Sequence, residues 1–68
     1  MDDIRKIVGR NVRRFRQAKE LSQEALADAA EIDRTYVSGV ERGLRNPSVT
    51  VLARIARVLE ISPDRLLR

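Results

Sequence analysis

The sequence predicts an all-α fold, a compact five-helix bundle that forms a single domain over residues 1–68. Apolar residues recur every three or four positions in the longest segments, as on the buried face of a helix. Residues that commonly start helices precede four of the five segments; they are Ser22, Asp33, Ser48 and Ser62. Almost no segment alternates apolar and polar residues as a half-buried strand does.

The first predicted helix has an apolar stripe and a basic outer face. The stripe consists of Ile4, Ile7, Val8, Val12, Phe15 and Ala18, and the residues off it include Arg5, Lys6, Arg13 and Lys19. The second helix runs from about Gln23 to Ala30 behind the Ser22 cap. Its alanines allow neighbouring helices to approach closely.

The third predicted helix, from about Arg34 to Arg42, separates two kinds of side chain. At about 100° per residue, Val37 and Val40 point to one side. The opposite side carries a small polar cluster of Thr35, Ser38, Gly39 and Arg42, flanked by Arg34 and Tyr36. Its cap, Asp33, follows Ser22 by eleven residues, which is typical of a helix-turn-helix. We expect this exposed face to fit the floor of a DNA groove.

Two more helices complete the predicted bundle. The fourth follows Ser48, and its apolar positions are Leu52, Ile55, Ala56 and Leu59. The fifth begins at Ser62, with Pro63 at its first position, where proline is well tolerated.

Composition excludes several classes of function. The chain has no cysteine and no histidine, which rules out disulfides, thiolate nucleophiles, zinc clusters and imidazole bases. The sequence shows neither a catalytic nucleophile beside a general base nor a glycine-rich loop that could bind phosphate. We therefore expect neither an enzyme nor a cofactor. No apolar stretch reaches membrane-spanning length, and Asp2 and Asp3 are unusual in a transit peptide. A soluble, cytoplasmic protein without a membrane partner is expected.

Charge is divided along the chain. Residues 1–19 hold seven basic and two acidic groups, residues 20–33 hold five acidic and no basic groups, and residues 34–68 hold seven basic and three acidic groups. The net charge is +4. One acidic helix therefore lies between two basic segments. This charge distribution differs from that of a non-specific polyanion binder, which is basic throughout.

Four motifs in fixed order carry a family likeness. They are Ser-Gln-Glu-x-Leu-Ala from Ser22, Tyr-Val-Ser-x-Val-Glu-Arg-Gly from Tyr36, Arg-Asn-Pro from Arg45, and Leu-x-x-Ile-Ala-x-x-Leu-x-Ile-Ser-Pro-Asp-x-Leu from Leu52. The chain resembles the phage-repressor and Cro-like family of lambda-repressor-like, five-helix DNA-binding domains over nearly its whole length. More narrowly, residues 33–42 are similar to the recognition segment of controller proteins from restriction–modification systems, small dimeric regulators of their own operons.

The resemblance implies a role for each residue of the predicted site. The base-facing set would be Arg34, Thr35, Tyr36 and Ser38, and the set that follows the backbone or flanking bases would be Gln23, Arg42, Arg45 and Asn46. Gly39 would let the helix approach the groove closely. The family pattern also pairs Glu41 with Arg16 as a structural ion pair. In the lambda repressor, the pair that matches Glu24 and Asp28 lies in a patch that contacts RNA polymerase.

The chain departs from the family at two sets of positions. Glu20, Glu31 and Glu60 stand at turns where glycine is common, which puts the local turn geometry in question. The second set is Val51 and Val58 on the fourth helix, where relatives more often have polar or small residues. With Ile61, Leu66 or Leu67 nearby, they predict an exposed apolar patch and a homodimer interface.

Three interpretations of function remain open at this point. The leading hypothesis is a homodimeric transcription regulator that binds a two-fold symmetric operator in double-stranded DNA. The second is an antitoxin that represses its operon and binds a toxin protein. The third is the DNA-binding part of a larger regulator.

Overall fold

Four α-helices and one short 3-10 helix form the fold in the computed structural model, which describes residues 3–68. The α-helices are α1 (Ile4–Ala18), α2 (Gln23–Ala30), α3 (Arg34–Glu41) and α4 (Val49–Leu59), and the 3-10 helix is Pro63–Leu66. No strand occurs among these residues. The all-α prediction is confirmed.

The predicted count of five helices is not confirmed as α-helices, because the segment after α4 forms only one 3-10 turn. Its backbone bonds span three residues, from the Arg65 N–H to the Ser62 carbonyl at 3.1 Å and from the Leu67 N–H to the Asp64 carbonyl at 3.0 Å. Pro63 has no N–H to donate, and four residues are too few for a ladder of α-helical bonds.

Each α-helix begins at a polar side chain that accepts a backbone hydrogen bond. The caps are Asp3, Ser22, Asp33 and Ser48, and their acceptor distances are 2.9, 2.9, 2.8 and 3.2 Å in that order. These bonds satisfy N–H groups that a helix start otherwise leaves unpaired. The Thr35 hydroxyl and the Thr35 backbone N–H both donate to Asp33 and hold the pKa of that carboxyl below its usual range.

The three turns that carry glutamate keep the left-handed backbone that glycine favours. The φ angles of Glu20, Glu31 and Glu60 are 57°, 58° and 59°. A residue with a Cβ atom is strained in this region, by about 1 kcal/mol or more. The departure from glycine therefore leaves the turn geometry unchanged.

The core contains most of the predicted apolar residues and one that was assigned to the surface. Its largest fully buried side chains are Val8, Val12, Leu26, Val37, Val40, Ile55 and Leu66. Leu66 was predicted to belong to the exposed dimer patch, and that assignment is wrong, since its exposed fraction is 0%. The Asn11 amide also donates to the Leu66 carbonyl at 3.0 Å, which holds the 3-10 helix against α1.

A glycine sets the distance between α1 and α3. A Cβ atom at Gly9 would lie 2.3 Å from the Val40 carbonyl oxygen and 2.8 Å from the Glu41 carbonyl oxygen. Both distances are too short for any side chain, and the obstacle is backbone that cannot rotate away. The end of α3 therefore packs directly on the backbone of α1.

Among residues 3–68, no helix is both long and apolar enough to cross a bilayer.

Replacing Glu31 by glycine is expected to raise the free energy of unfolding by about 0.5–1 kcal/mol, because glycine adopts a positive φ angle without steric cost. Chemical denaturation followed by circular dichroism measures this change. Glu31→Ala is the control, since alanine removes the charge but keeps the Cβ atom, and it should give no comparable gain. An equal gain in both variants would contradict a backbone origin.

Candidate nucleic-acid interface

The exposed face of α3 forms one side of an open depression of about 480 Å³. Its lining residues come from α3 and from the loop that follows; they are Thr35, Ser38, Gly39, Arg42, Leu44 and Arg45. Val37 and Val40 are fully buried on the opposite side of α3. The predicted polar cluster of α3 therefore faces outward, with hydroxyl and guanidinium groups that can donate to bases or phosphates.

Arg34 and Tyr36 flank this depression in different environments. Arg34 is largely exposed, and its Nη1 atom lies 3.7 Å from Oε2 of Glu24, also exposed. An exposed pair at this distance is weak, so Arg34 can turn toward another partner. The Tyr36 ring is half-buried and lies 5.3 Å from the guanidinium carbon of Arg45.

The Arg45 side chain lies across α3 at Gly39. A Cβ atom at Gly39 would stand only 2.8 Å from Cγ of Arg45. The sequence analysis predicted that Gly39, which has no side chain, would let DNA approach the helix closely. In the structure, the aliphatic part of the Arg45 side chain occupies that space. The sequence alone does not reveal this contact, because it joins α3 to a loop whose path the local pattern leaves open.

Arg16 and Glu41 form a bidentate ion pair between α1 and the end of α3. Arg16 Nε lies 2.6 Å from Glu41 Oε2, and Arg16 Nη2 lies 3.0 Å from Glu41 Oε1. The exposed fractions of the two side chains are 11% and 3%. Arg16 Nη1 also donates to the Leu21 carbonyl at 2.7 Å, so one guanidinium holds three parts of the chain. The bonds to Glu41 raise the pKa of Arg16 above its usual value.

Gln23, the first residue of α2, joins this ion pair. Its Nε2 atom donates to Glu41 Oε1 at 3.1 Å. The contact fixes the amide of Gln23 at the N-terminus of α2, where the partial positive charge of the helix attracts anions. A carboxylate of α3 therefore orients the residue that the resemblance assigns to the DNA backbone.

The remaining predicted site residues lie on several surfaces. Arg42 and Asn46 are exposed beside α3, and Asp28 is exposed on α2. Val51, Val58 and Ile61 are half-buried and pack against the core, whereas Leu67 is 44% exposed. The predicted dimer patch is therefore smaller than the sequence suggested. Val49, 83% exposed, was missed as a surface apolar residue.

Comparison with known proteins identifies the kind of domain. The helix-turn-helix family HTH_3 matches residues 12–66. The control protein C.SmaI of Serratia marcescens is 42% identical over 96% of this chain and 77% of its own length. The control protein C.BamHI of Bacillus amyloliquefaciens is 40% identical over 97% of this chain and 83% of its own length.

Solved structures agree with this comparison. The restriction–modification controller protein C.AhdI from Aeromonas hydrophila superimposes with a TM-score of 0.88 at 45% identity, over 91% of this chain and 94% of that one. SinR, the master regulator for biofilm formation, solved in complex with DNA, has a TM-score of 0.87 at 34% identity, over 90% of this chain and 98% of that one.

Replacing Glu41 by alanine is expected to lower the free energy of unfolding by about 3–5 kcal/mol, because Arg16 would keep a poorly hydrated charge without its partner. Thermal and chemical denaturation measure the loss.

The double replacement Arg16→Met with Glu41→Leu is the matched control. It removes both charges, so it should recover most of the stability that Glu41→Ala loses. A loss below about 1 kcal/mol in Glu41→Ala would show that the pair is no more important than an exposed one.

Proposed function

The chain belongs to the helix-turn-helix family of DNA-binding transcription regulators, and on that premise we propose that it is a homodimeric regulator of a two-fold symmetric operator. Its relatives C.SmaI, C.BamHI and C.AhdI are restriction–modification control proteins. We extend the proposal to control of such an operon, including the gene for the regulator itself. DNA binding would take place in the cytoplasm.

The outward polar face of α3 carries this proposal. Arg34 can donate two hydrogen bonds to guanine, and Thr35 and Ser38 offer a hydroxyl group, or in threonine also a methyl group, to base edges. Tyr36 can reach a phosphate or pack against a thymine methyl group. The weak contact of Arg34 with Glu24, at 3.7 Å, leaves its guanidinium free to exchange partners when DNA arrives.

Residues around this face are proposed to follow the phosphates. Gln23 is oriented by Glu41 at the start of α2, and Arg42, Arg45 and Asn46 lie on or after the end of α3. Such contacts fix the protein on the duplex without reading its sequence. Binding should accordingly weaken with salt, since each neutralised phosphate releases counterions.

Domain size is compatible with a dimer on one face of DNA. The domain measures 32 × 22 × 21 Å. Two copies in contact can therefore place their α3 helices about 34–36 Å apart, which is one turn of B-DNA. A two-fold axis between the copies would make the operator palindromic.

The experiment that tests the proposed function is selection of bound fragments from random DNA, followed by sizing of the complex. We expect a two-fold repeat with two protein chains per site. Recovery of no preferred sequence would contradict the proposal.

Replacing Arg34 by alanine should cost about 1–3 kcal/mol of affinity for the selected site and little for random DNA, because it removes base contacts. Gln23→Ala should instead weaken binding to all sequences alike. Fluorescence anisotropy with both DNAs measures the difference. If Arg34→Ala lost the same affinity for both DNAs, Arg34 would contact phosphates rather than bases.

The dimer is proposed to form through Val51, Val58, Ile61 and Leu67, with Leu66 excluded by its burial. Leu67→Asp should weaken dimerisation without unfolding the domain, because Leu67 is 44% exposed. Val49→Asp, at the start of α4, is the control with an equal change of charge and should leave the dimer intact. Sedimentation equilibrium measures both. If only Val49→Asp lost the dimer, the interface would instead include Val49 and exclude Leu67.

A contact with RNA polymerase is proposed through Glu24 and Asp28, which project from the same side of α2. Asp28→Lys is the sharper variant, because Glu24 also contacts Arg34. It should abolish activation at the protein's own promoter and leave operator affinity unchanged or higher. Glu31→Lys makes the same change of charge outside the proposed pair, so it should still activate. Full activation by Asp28→Lys would exclude Asp28 from the contact.

A further inference from the structure

We propose that Leu44 contacts the C5-methyl group of a thymine in the operator, and that this apolar contact adds to the selectivity of the polar face of α3. The inference deepens the proposed function and rests on it. It adds to the site a side chain that has no hydrogen-bonding group and that falls between two of the family motifs.

Leu44 is a large apolar side chain outside the core. It is 62% exposed, and it does not belong to the hydrophobic residues that pack against the buried cluster. Among residues 3–68, the other large apolar side chains that are exposed are Ile4, Val49 and Leu67. Leu44 is the one that lines the depression beside α3. Its position at the candidate site distinguishes it from the scattered apolar residues of an ordinary surface.

The backbone alone holds Leu44 beside the end of α3. The Leu44 N–H donates to the Gly39 carbonyl at 2.9 Å, and the Arg45 N–H donates to the same oxygen at 3.3 Å. Gly43, with a φ angle of 75°, makes the reversal after the helix. Because these contacts use only main-chain atoms of Leu44, its side chain can be shortened without loosening the loop.

The surroundings of Leu44 favour DNA as its partner over another protein. Arg42 and Arg45, which line the same depression on either side of it in the sequence, are basic and exposed. None of the lining residues is acidic. Such a surface attracts a polyanion, and a duplex that entered the depression would cover the leucine.

The thymine methyl is the apolar group that base edges present in the major groove. An apolar side chain gains free energy by covering this methyl group, whereas covering a carbonyl or amino group would remove its hydration without a replacement bond. Thr35 places a second methyl group in the same depression, and its hydroxyl donates its proton to Asp33 at 2.6 Å. The depression therefore offers apolar contacts as well as hydrogen bonds.

The test removes the methyl group from the DNA and the side chain from the protein. Replacing a thymine of the selected operator by deoxyuridine removes only the C5-methyl group and keeps the base pair. Fluorescence anisotropy should show that the wild type loses about three- to tenfold in affinity at one symmetric pair of thymines. Leu44→Ala should lose a similar factor on the unmodified operator and nothing further on the modified one, because both changes remove one contact.

Val49→Ala is the matched control, since it also shortens an exposed apolar side chain but lies outside the depression. It should bind both operators as the wild type does. Leu44→Ala should keep the wild-type melting temperature, which shows that its loss of affinity is not a loss of fold. Leu44→Met keeps an apolar side chain of similar volume, so it should retain most of the sensitivity to deoxyuridine.

Three results would overturn the inference. Unchanged operator affinity in Leu44→Ala would show that the side chain is dispensable. If deoxyuridine weakened the wild type and Leu44→Ala equally at every thymine, the leucine would contact another part of the DNA, such as a sugar. If deoxyuridine did not weaken the wild type at any position, no thymine methyl group would be recognised.

The wild type and Arg34→Ala separate this inference from its premise. If the wild type prefers its operator over random DNA and Arg34→Ala loses that preference, whereas Leu44→Ala keeps the full affinity, the inference fails and the proposed function stands. If the wild type has no preferred sequence, the proposed function fails and the inference fails with it.

Discussion

The buried carboxylate of Glu41 imposes the constraint around which the helices are arranged. Its side chain is 3% exposed, and such a charge is costly unless every oxygen is paired. Arg16 supplies two bonds from α1, and Gln23 supplies a third from α2. Gly9 allows this approach, because its missing side chain lets the backbone of α1 meet the end of α3. The ion pair thereby fixes the direction in which α3 presents its polar face.

Structural and binding roles are coupled through the same atoms. Gln23 is held by Glu41 at the start of α2, so the side chain proposed to grip a phosphate is oriented by the ion pair that holds the bundle together. Arg16 also reaches the Leu21 carbonyl in the turn before α2. A change in this buried pair would consequently alter stability and the spacing between the two helices of the DNA-binding unit together.

The depression proposed to receive DNA is lined by two segments of chain rather than by one helix. Thr35 and Ser38 come from α3, whereas Arg45 comes from the following loop and lies in the space above Gly39. A preorganised arginine binds with a smaller entropy loss than a freely rotating one. The shape of this depression therefore depends on the loop conformation as well as on the residues of α3.

Local chemistry in the sequence determined where the α-helices begin, because Ser22, Asp33 and Ser48 satisfy free N–H groups within their own segments. It also determined which side of α3 is polar, since that follows from helical periodicity alone. The ordered motifs were sufficient to identify the family. Only the tertiary structure decided that the last segment is a 3-10 turn with Leu66 buried, and that Gly39 holds the stem of Arg45. These features depend on contacts between distant segments, and neither periodicity nor capping carries information about how such segments meet.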